Sequence, residues 1–220
     1  MIRVVLCDPR RDFGDIDEYA ERLRIPTVFG EEISHKLNKK RNDESRTLSL
    51  GALCALRGMI DSSERLEITT SENGKPLFIR SELPSFNISH SGLLASVAVS
   101  DQPVGVDIEE VKERKGAQKI AERFFSEGEL NSLTENSSQA RFYRIWTAKE
   151  ALCKCEGLSL AQNLRVLDTL DAEESGEYFF SRYDVRFEDS QYIMTVCAKN
   201  KTDVEITAMN GGIKYDEIQN

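Results

Sequence analysis

Val104-Gly105-Val106-Asp107-Ile108-Glu109, entered from Pro103 and followed by Glu110, is the stretch whose reading decides the fold. Val104, Val106 and Ile108 alternate with Gly105, Asp107 and Glu109, the period of a strand. Side chains two apart leave the same face, so Asp107 and Glu109 stand side by side, roughly 6.5 Å apart at the backbone. Downstream runs Trp146-Thr147-Ala148-Lys149-Glu150-Ala151-Leu152-Cys153-Lys154. Helical spacing puts Trp146, Glu150 and Lys154 on one face, each a turn above the last. Three carboxylates and a lysine brought together would suit a hard cation and a phosphate. Alone, each half is ambiguous: Asp-x-Glu also marks a solvated strand edge, and Glu150 with Lys154 is also an ordinary i,i+4 pair.

Upstream of this strand, Asn73-Gly74 between β-prone runs predicts a hairpin joining Leu66–Thr70 to the residues after Lys75. Phe86-Asn87-Ile88 and the turn Ser89-His90-Ser91-Gly92 lead into a small-residue strand, Leu93–Ser100. Asp101-Gln102-Pro103 then turns the chain so that Val104–Glu109 pairs back as the next strand. Two hairpins thereby gather Lys75, Ser89, His90, Asp107 and Glu109 into one neighbourhood. His90, a structural histidine in most settings, here lies among hydroxyl and backbone donors that an anion could approach.

Nearer the start, Ile2–Cys7 reads as a strand and Asp15–Arg24 as a helix closed by Pro26. Lys36, Lys39, Lys40, Arg41 and Arg46 form the densest basic cluster, either a solvated helix face or an anion contact. A core helix with apolar residues on more than one side, Leu48–Ile60, follows. After the central strand, Ile120, Ala121, Phe124 and Phe125 have helical spacing. Ser126-Glu127-Gly128-Glu129 is a capping box, with Glu129 a helix-end charge or a partner behind the site. A long helix runs from Ser137-Ser138 through Cys155 to a Gly157 cap, with Trp146 packing it in place. Leu164–Leu167, Tyr178–Tyr183, Tyr192–Ala198 and Val204–Met209 read as strands. The rhythm suggests two halves, an N-terminal subdomain over 1–103 and a C-terminal one, carrying the metal site, over 104–220.

A length of 220 residues, 40% hydrophobic and 30% charged, allows one large or two small domains with a real core. The net charge of −9 argues against nucleic acid, whose binders neutralise phosphates with clustered cations. No apolar run approaches the ~18 residues of a membrane span, and Met1–Val4 opens into a strand pattern with no signal peptide. The five cysteines show no CxxC pair and read as reduced residues of a cytoplasmic protein. Mg²⁺ takes oxygen ligands, commonly one or two carboxylates with substrate phosphates, which Asp107, Glu109 and Glu150 could supply. Zinc fits poorly, because the two histidines are isolated. A two-carboxylate glycosidase leaves Lys75, His90 and Lys154 without a role, whereas phosphoryl transfer uses them all.

Five motifs in order carry a family resemblance: Gly74-Lys75-Pro76; Phe86-Asn87-Ile88-Ser89-His90-Ser91; Val104–Glu109; Arg123-Phe124-Phe125-Ser126 with Glu129; and Trp146–Ala151 through Lys154. Together they resemble the 4′-phosphopantetheinyl transferases of the surfactin-synthetase (Sfp) type, while the first 65 residues resemble the family only through the basic cluster. The resemblance implies an α+β monomer, a pseudo-twofold arrangement of two similar α/β subdomains with the active site in the cleft between them. It implies transfer of 4′-phosphopantetheine from coenzyme A to a serine hydroxyl of an acyl or peptidyl carrier protein, with release of adenosine 3′,5′-bisphosphate. By the same resemblance Asp107, Glu109 and Glu150 hold Mg²⁺, Glu150 or a water it orients deprotonates the serine, and Lys154 stabilises the phosphoryl charge. Lys75, Ser89 and His90 contact coenzyme A, Lys36, Lys39 and Arg46 meet its 3′-phosphate, and Phe124–Leu133 meets the carrier. Two alternatives stand beside it: a non-catalytic module binding coenzyme A or carrier, and a Mg²⁺-dependent pyrophosphate hydrolase.

Overall fold

A computed structural model of the chain describes residues 1–39, 43–61, 65–135, 138–158, 165, 167–169 and 174–218. β1 (Ile2–Cys7) opens it and five helices follow: α1 (Pro9–Asp12), α2 (Ile16–Arg22), α3 (Ile25–Phe29), α4 (Glu31–Asn38) and α5 (Asp43–Met59). Asp8 and Asp15 cap the first two, their carboxylates accepting the backbone N–H of Arg10 and of Asp17 and Glu18. The helix expected over 15–24 ends before Pro26 rather than at it. Arg24 turns the chain with φ of 54°, and Pro26 lies in the first turn of α3, where a missing N–H leaves no bond unmade. α5 buries Leu50, Ala52, Leu53 and Leu56, as its many-sided apolar pattern requires.

The Asn-Gly signal is a hairpin: β2 (Ile68–Thr70) pairs antiparallel with β3 (Pro76–Phe78), and Gly74 takes φ of 86° in the loop. β4 (Ser85–Ser91) and β5 (Leu94–Ser100) form a second, tight hairpin around Gly92-Leu93. Ser89-His90-Ser91 is therefore the end of a strand, not a turn. β6 (Val104–Glu110) comes next, then α6 (Ala117–Phe124), α7 (Glu127–Glu135) and α8 (Gln139–Glu156). The capping box forms: Ser126 Oγ accepts from Glu129 N at 3.1 Å, and Ser126 N donates to Glu129 Oε2 at 2.7 Å. Ser138 caps α8 and Gly157 ends it with φ of 68°. The remaining strands are β7 (Glu174–Ser175), β8 (Tyr178–Phe187), β9 (Ser190–Ala198), β10 (Val204–Ala208) and β11 (Lys214–Glu217). Of the run expected over 164–167, only Arg165 and Leu167 fall among the described residues; Lys40, Arg41 and Ser137 fall outside them.

β6 does not pair back onto the preceding hairpin. One sheet runs β10-β1-β5-β4 and a second runs β11-β8-β9-β6, with β6 antiparallel to β9. β10, from the end of the chain, crosses back to lie parallel to β1, so the first sheet draws strands from both ends. Apolar residues of both sheets meet in one cluster that includes Val4, Leu6, Leu94, Val104, Val106, Ile108 and Met194. A second cluster joins the other face of β5 to α2–α5, and two more lie around α6–α8.

The edges of the two sheets meet through side chains. Asn87 Oδ1, Ser89 Oγ and Ser91 Oγ of β4 accept the backbone N–H of Val106, Ile108 and Glu110 at 2.9, 3.3 and 3.1 Å. Alternate residues of β4 thus stand where a partner strand's carbonyls would, and the N–H groups on this edge of β6 are satisfied without a backbone ladder. Gly105 completes the arrangement on the other side. A Cβ there would come within 1.9 Å of Ala151 O, so only glycine lets α8 lie directly on β6. Side chains such as Trp146, Tyr143 and Leu152 are buried along α8, each worth roughly 1.5–3 kcal/mol of apolar burial, and hold it there.

Candidate active site

Because Val104, Val106 and Ile108 point into the shared core, Asp107 and Glu109 point the other way, toward α8. Gly105 brings that helix close enough for Glu150 and Lys154 to join them. The four line one end of a cleft of about 420 Å³, together with Ser89. The rest of the cleft is largely apolar, floored by Leu37, Leu53, Ile68, Phe86 and Ile88, with Lys36, Ser49 and His90 also lining it. Its walls come from two stretches of the chain, 33–90 and 107–154, and include the facing edges of both sheets, β4 and β6.

Asp107 is 4% exposed and is gripped on one oxygen. Its Oδ1 accepts from Lys154 Nζ at 2.6 Å and from Ser89 Oγ at 2.8 Å, while Oδ2 is buried with no hydrogen-bond partner. Burial pushes the Asp107 carboxyl up, against the pull of the Lys154 ammonium. Glu109 is held by Ser91 Oγ at 2.9 Å and by Arg114 at 3.5 Å. Glu150 is pushed up to about 7, first by burial and then by the charge of Asp107. One free carboxylate oxygen and one carboxyl poised near neutrality make a site that can accept either a cation or a proton.

These three carboxylates are the ones that would hold a metal. Among the described residues no three His, Cys, Asp or Glu side chains already stand as a cage. The physical reason is local: Lys154, Ser91 and Arg114 occupy part of the set, and like charges at this range repel. The donors nonetheless fit a hard cation, being oxygen alone, with Asp107 Oδ2 left over. His90 Nε2 lies 3.2 Å from Ser49 Oγ beside the cleft. Lys36 lines the cleft while pairing with Glu32 at 2.9 Å. Arg46 instead pairs with Asp17 at 2.7 Å, and Lys39 is exposed at the end of α4; neither lines the cleft.

Lys75 departs from its expected place. It is not among the residues lining the cleft, and its ammonium donates to Cys155 O at 2.6 Å and toward Val104 O at 3.4 Å. The contacts that Ser91, Arg114 and Lys149 make were not foreseen from the sequence. Ser91 and Arg114 both hold Glu109, and the Arg114 guanidinium also lies 5.2 Å over the Trp146 ring. Alternation with Ser89 could have pointed to Ser91, but nothing local points to Arg114. Lys149 faces the opposite way from Lys154 and pairs with Glu129 at 2.9 Å, both side chains fully buried. Glu129 is thus a packed partner of α8 as well as half of a capping box.

Comparison with known proteins places the chain in a family. Residues 103–197 match the family model described as the 4′-phosphopantetheinyl transferase superfamily. The chain is 42% identical over 106 residues to the 4′-phosphopantetheinyl transferase psf-1 of Bacillus pumilus, a match covering 46% of this chain and 44% of that protein. It is 33% identical over 174 residues to the 4′-phosphopantetheinyl transferase Sfp of Bacillus subtilis (strain 168), covering 72% and 73%. With the 4′-phosphopantetheinyl transferase ffp of Bacillus subtilis it shares 34% over 178 residues, covering 72% and 75%. The chain therefore spans less than half of psf-1 and about three quarters of the other two.

Proposed function

The chain belongs to the 4′-phosphopantetheinyl transferase superfamily, and from that premise we propose that the cleft moves 4′-phosphopantetheine from coenzyme A to a serine hydroxyl of an acyl or peptidyl carrier protein. The bond from the pantetheine-side phosphorus to the bridging pyrophosphate oxygen breaks, and a bond from that phosphorus to the serine oxygen forms. Adenosine 3′,5′-bisphosphate leaves, and the serine proton passes to a base. The observation that carries the reading is Asp107, Glu150 and Lys154 converging at one end of the cleft, with Asp107 Oδ2 unpartnered.

Glu150 is the base, directly or through a water it orients. A carboxyl pushed up to about 7 can take a proton near neutral pH, where an ordinary glutamate would be a weaker acceptor. Lys154 sits beside the reacting end and stabilises charge on the phosphoryl oxygens. Asp107, Glu109 and Glu150 would hold Mg²⁺, which when bound neutralises pyrophosphate charge. His90, Ser89 and Lys36 line the cleft and bind coenzyme A, while Lys39 and Arg46 stand on the same half of the fold as a weaker, outlying basic patch. The carrier meets the surface around Phe124–Leu133.

The division into subdomains at 103/104 suits this reading, since the strand that opens the second half carries two of the acids. No described helix is long and apolar enough to cross a membrane. The same reading makes the protein a cytoplasmic monomer, and the five free, buried thiols suit a reducing compartment. The test is mass spectrometry of apo carrier proteins incubated with coenzyme A and Mg²⁺. A phosphopantetheine-sized gain on the carrier serine is expected. No gain with any of several carriers, or free phosphopantetheine without carrier labelling, would sink the reading.

A further inference from the structure

The last turn of a helix leaves carbonyls without partners inside the helix, and its end carries partial negative charge. In α8 the Gly157 and Leu158 N–H groups close on Cys153 O, which leaves Cys155 and Gly157 carbonyls to be met from elsewhere. Both are met by one loop of the other half of the chain. Lys75 Nζ donates to Cys155 O at 2.6 Å, and Asn73 Nδ2 donates to Gly157 O at 2.9 Å. The stem of Lys75 lies so close to Gly157 that a Cβ there would stand 3.3 Å from Lys75 Cδ. Lys75 is half-buried in this position, with burial drawing its pKa below the usual lysine value.

We propose that Lys75, with Asn73, is a positioning residue that clamps the β2–β3 hairpin onto the C-terminus of α8 and so sets the width of the cleft. Pro76, the next residue, and Ile68, on the paired strand, line the cleft, and so does Lys154, one residue before Cys155. The clamp therefore couples a wall contributed by the first half to the helix that carries Glu150 and Lys154. α8 is fixed independently to β6 at Gly105 and to β9 through Thr147 Oγ1 and Thr195 Oγ1, 2.8 Å apart. Loosening the clamp moves the hairpin wall rather than the acids, so ligand binding suffers before chemistry does.

The functional half of this inference rests on the transferase reading; the structural half does not, and the experiment separates them. Hydrogen exchange is followed by mass spectrometry on the ligand-free protein in peptides spanning 68–78 and 150–158. Lys75→Met keeps the stem and removes the donor, and should speed exchange in both peptides about tenfold, whereas Lys75→Arg, which still donates, stays near the parent. In steady state, Lys75→Met should raise KM for coenzyme A about tenfold with kcat held within about twofold. Unchanged exchange with a raised KM means that Lys75 touches the ligand directly, and overturns the clamp. Faster exchange with unchanged KM, or a loss carried by kcat, overturns its role in the cleft. A parent protein without turnover defeats the transferase reading while the exchange comparison still decides the clamp.

Discussion

Two lysine–carboxylate pairs stand on α8, five residues apart, and they differ in what is left over. Lys149 and Glu129 are both sealed from solvent, and Glu129 is saturated: Oε1 accepts from Thr169 N and Oγ1 at 2.6 and 2.8 Å, Oε2 from Lys149 and Ser126 N. Lys149 also donates to Leu167 O. Lys154 and Asp107 face the cleft, Lys154 is 26% exposed, and Asp107 Oδ2 has no partner. Buried charge with every bond made specifies a structure. Buried charge with a bond withheld keeps a valence for something that arrives later. The same side-chain chemistry thus serves packing on one side of the helix and leaves an unpartnered carboxylate oxygen on the other.

The largest effect that could break this contrast is on turnover. Glu150→Gln preserves shape but cannot act as a base, so kcat should fall by about 10²–10⁴-fold while the urea midpoint holds or rises. Turnover close to the parent's would remove Glu150 from the chemistry. On the sealed side the loss should be in stability: Lys149→Met leaves Glu129 buried without its cation, at a cost of about 3–5 kcal/mol. The double change Lys149→Met with Glu129→Met should recover much of that, and a single variant as stable as the parent would show that the pair is not what seals α8 to α7.

Acidity sharpens the comparison at intermediate size. Glu150 titrates at about 7 when folded, above the 4.5 of an unperturbed glutamate. The folded protein therefore holds that proton more tightly than the unfolded chain. This contribution to stability is complete below about pH 4.5 and is lost as pH rises through 7, amounting to roughly 3 kcal/mol. In metal-free buffer the urea midpoint should fall between pH 5 and 8, more steeply in the parent than in Glu150→Gln. Equal slopes would mean that Glu150 is not held protonated. The smallest effect belongs to the seam. Ser91→Ala removes one bond to Glu109 and one to Glu110 N, for about 1–2 kcal/mol. It should also weaken Mg²⁺ binding measured by calorimetry; intact stability and affinity together would leave Ser91 no part in holding Glu109.

Local chemistry was legible wherever a pattern repeats within a few residues. The strand Val104–Glu110, the 126–129 capping box, the Ser138 and Gly157 ends of α8 and the Asn73-Gly74 hairpin follow from period, caps and turn residues. Partners were not legible. β6 alternates in the same way whether it pairs with β5 or with β9, and its place at the seam depends on hydroxyls of β4 that stand in for a backbone ladder. Arg114 reaches Glu109 across a loop that has no period, and nothing near Lys75 in the sequence tells that its ammonium meets the end of α8. Nor does any motif say that β10 returns to β1.

By itself, then, the sequence determined the family and which way residues such as Asp107, Glu109, Glu150 and Lys154 face on their own strand or helix. Side-chain direction on a regular element is a matter of period, and period is local. Tertiary structure decided which charges are shared and which are spare. Whether Asp107 keeps an open oxygen while Glu129 keeps none depends on burial and on donors that come from tens of residues away, and those meet only when the two sheets close on one core.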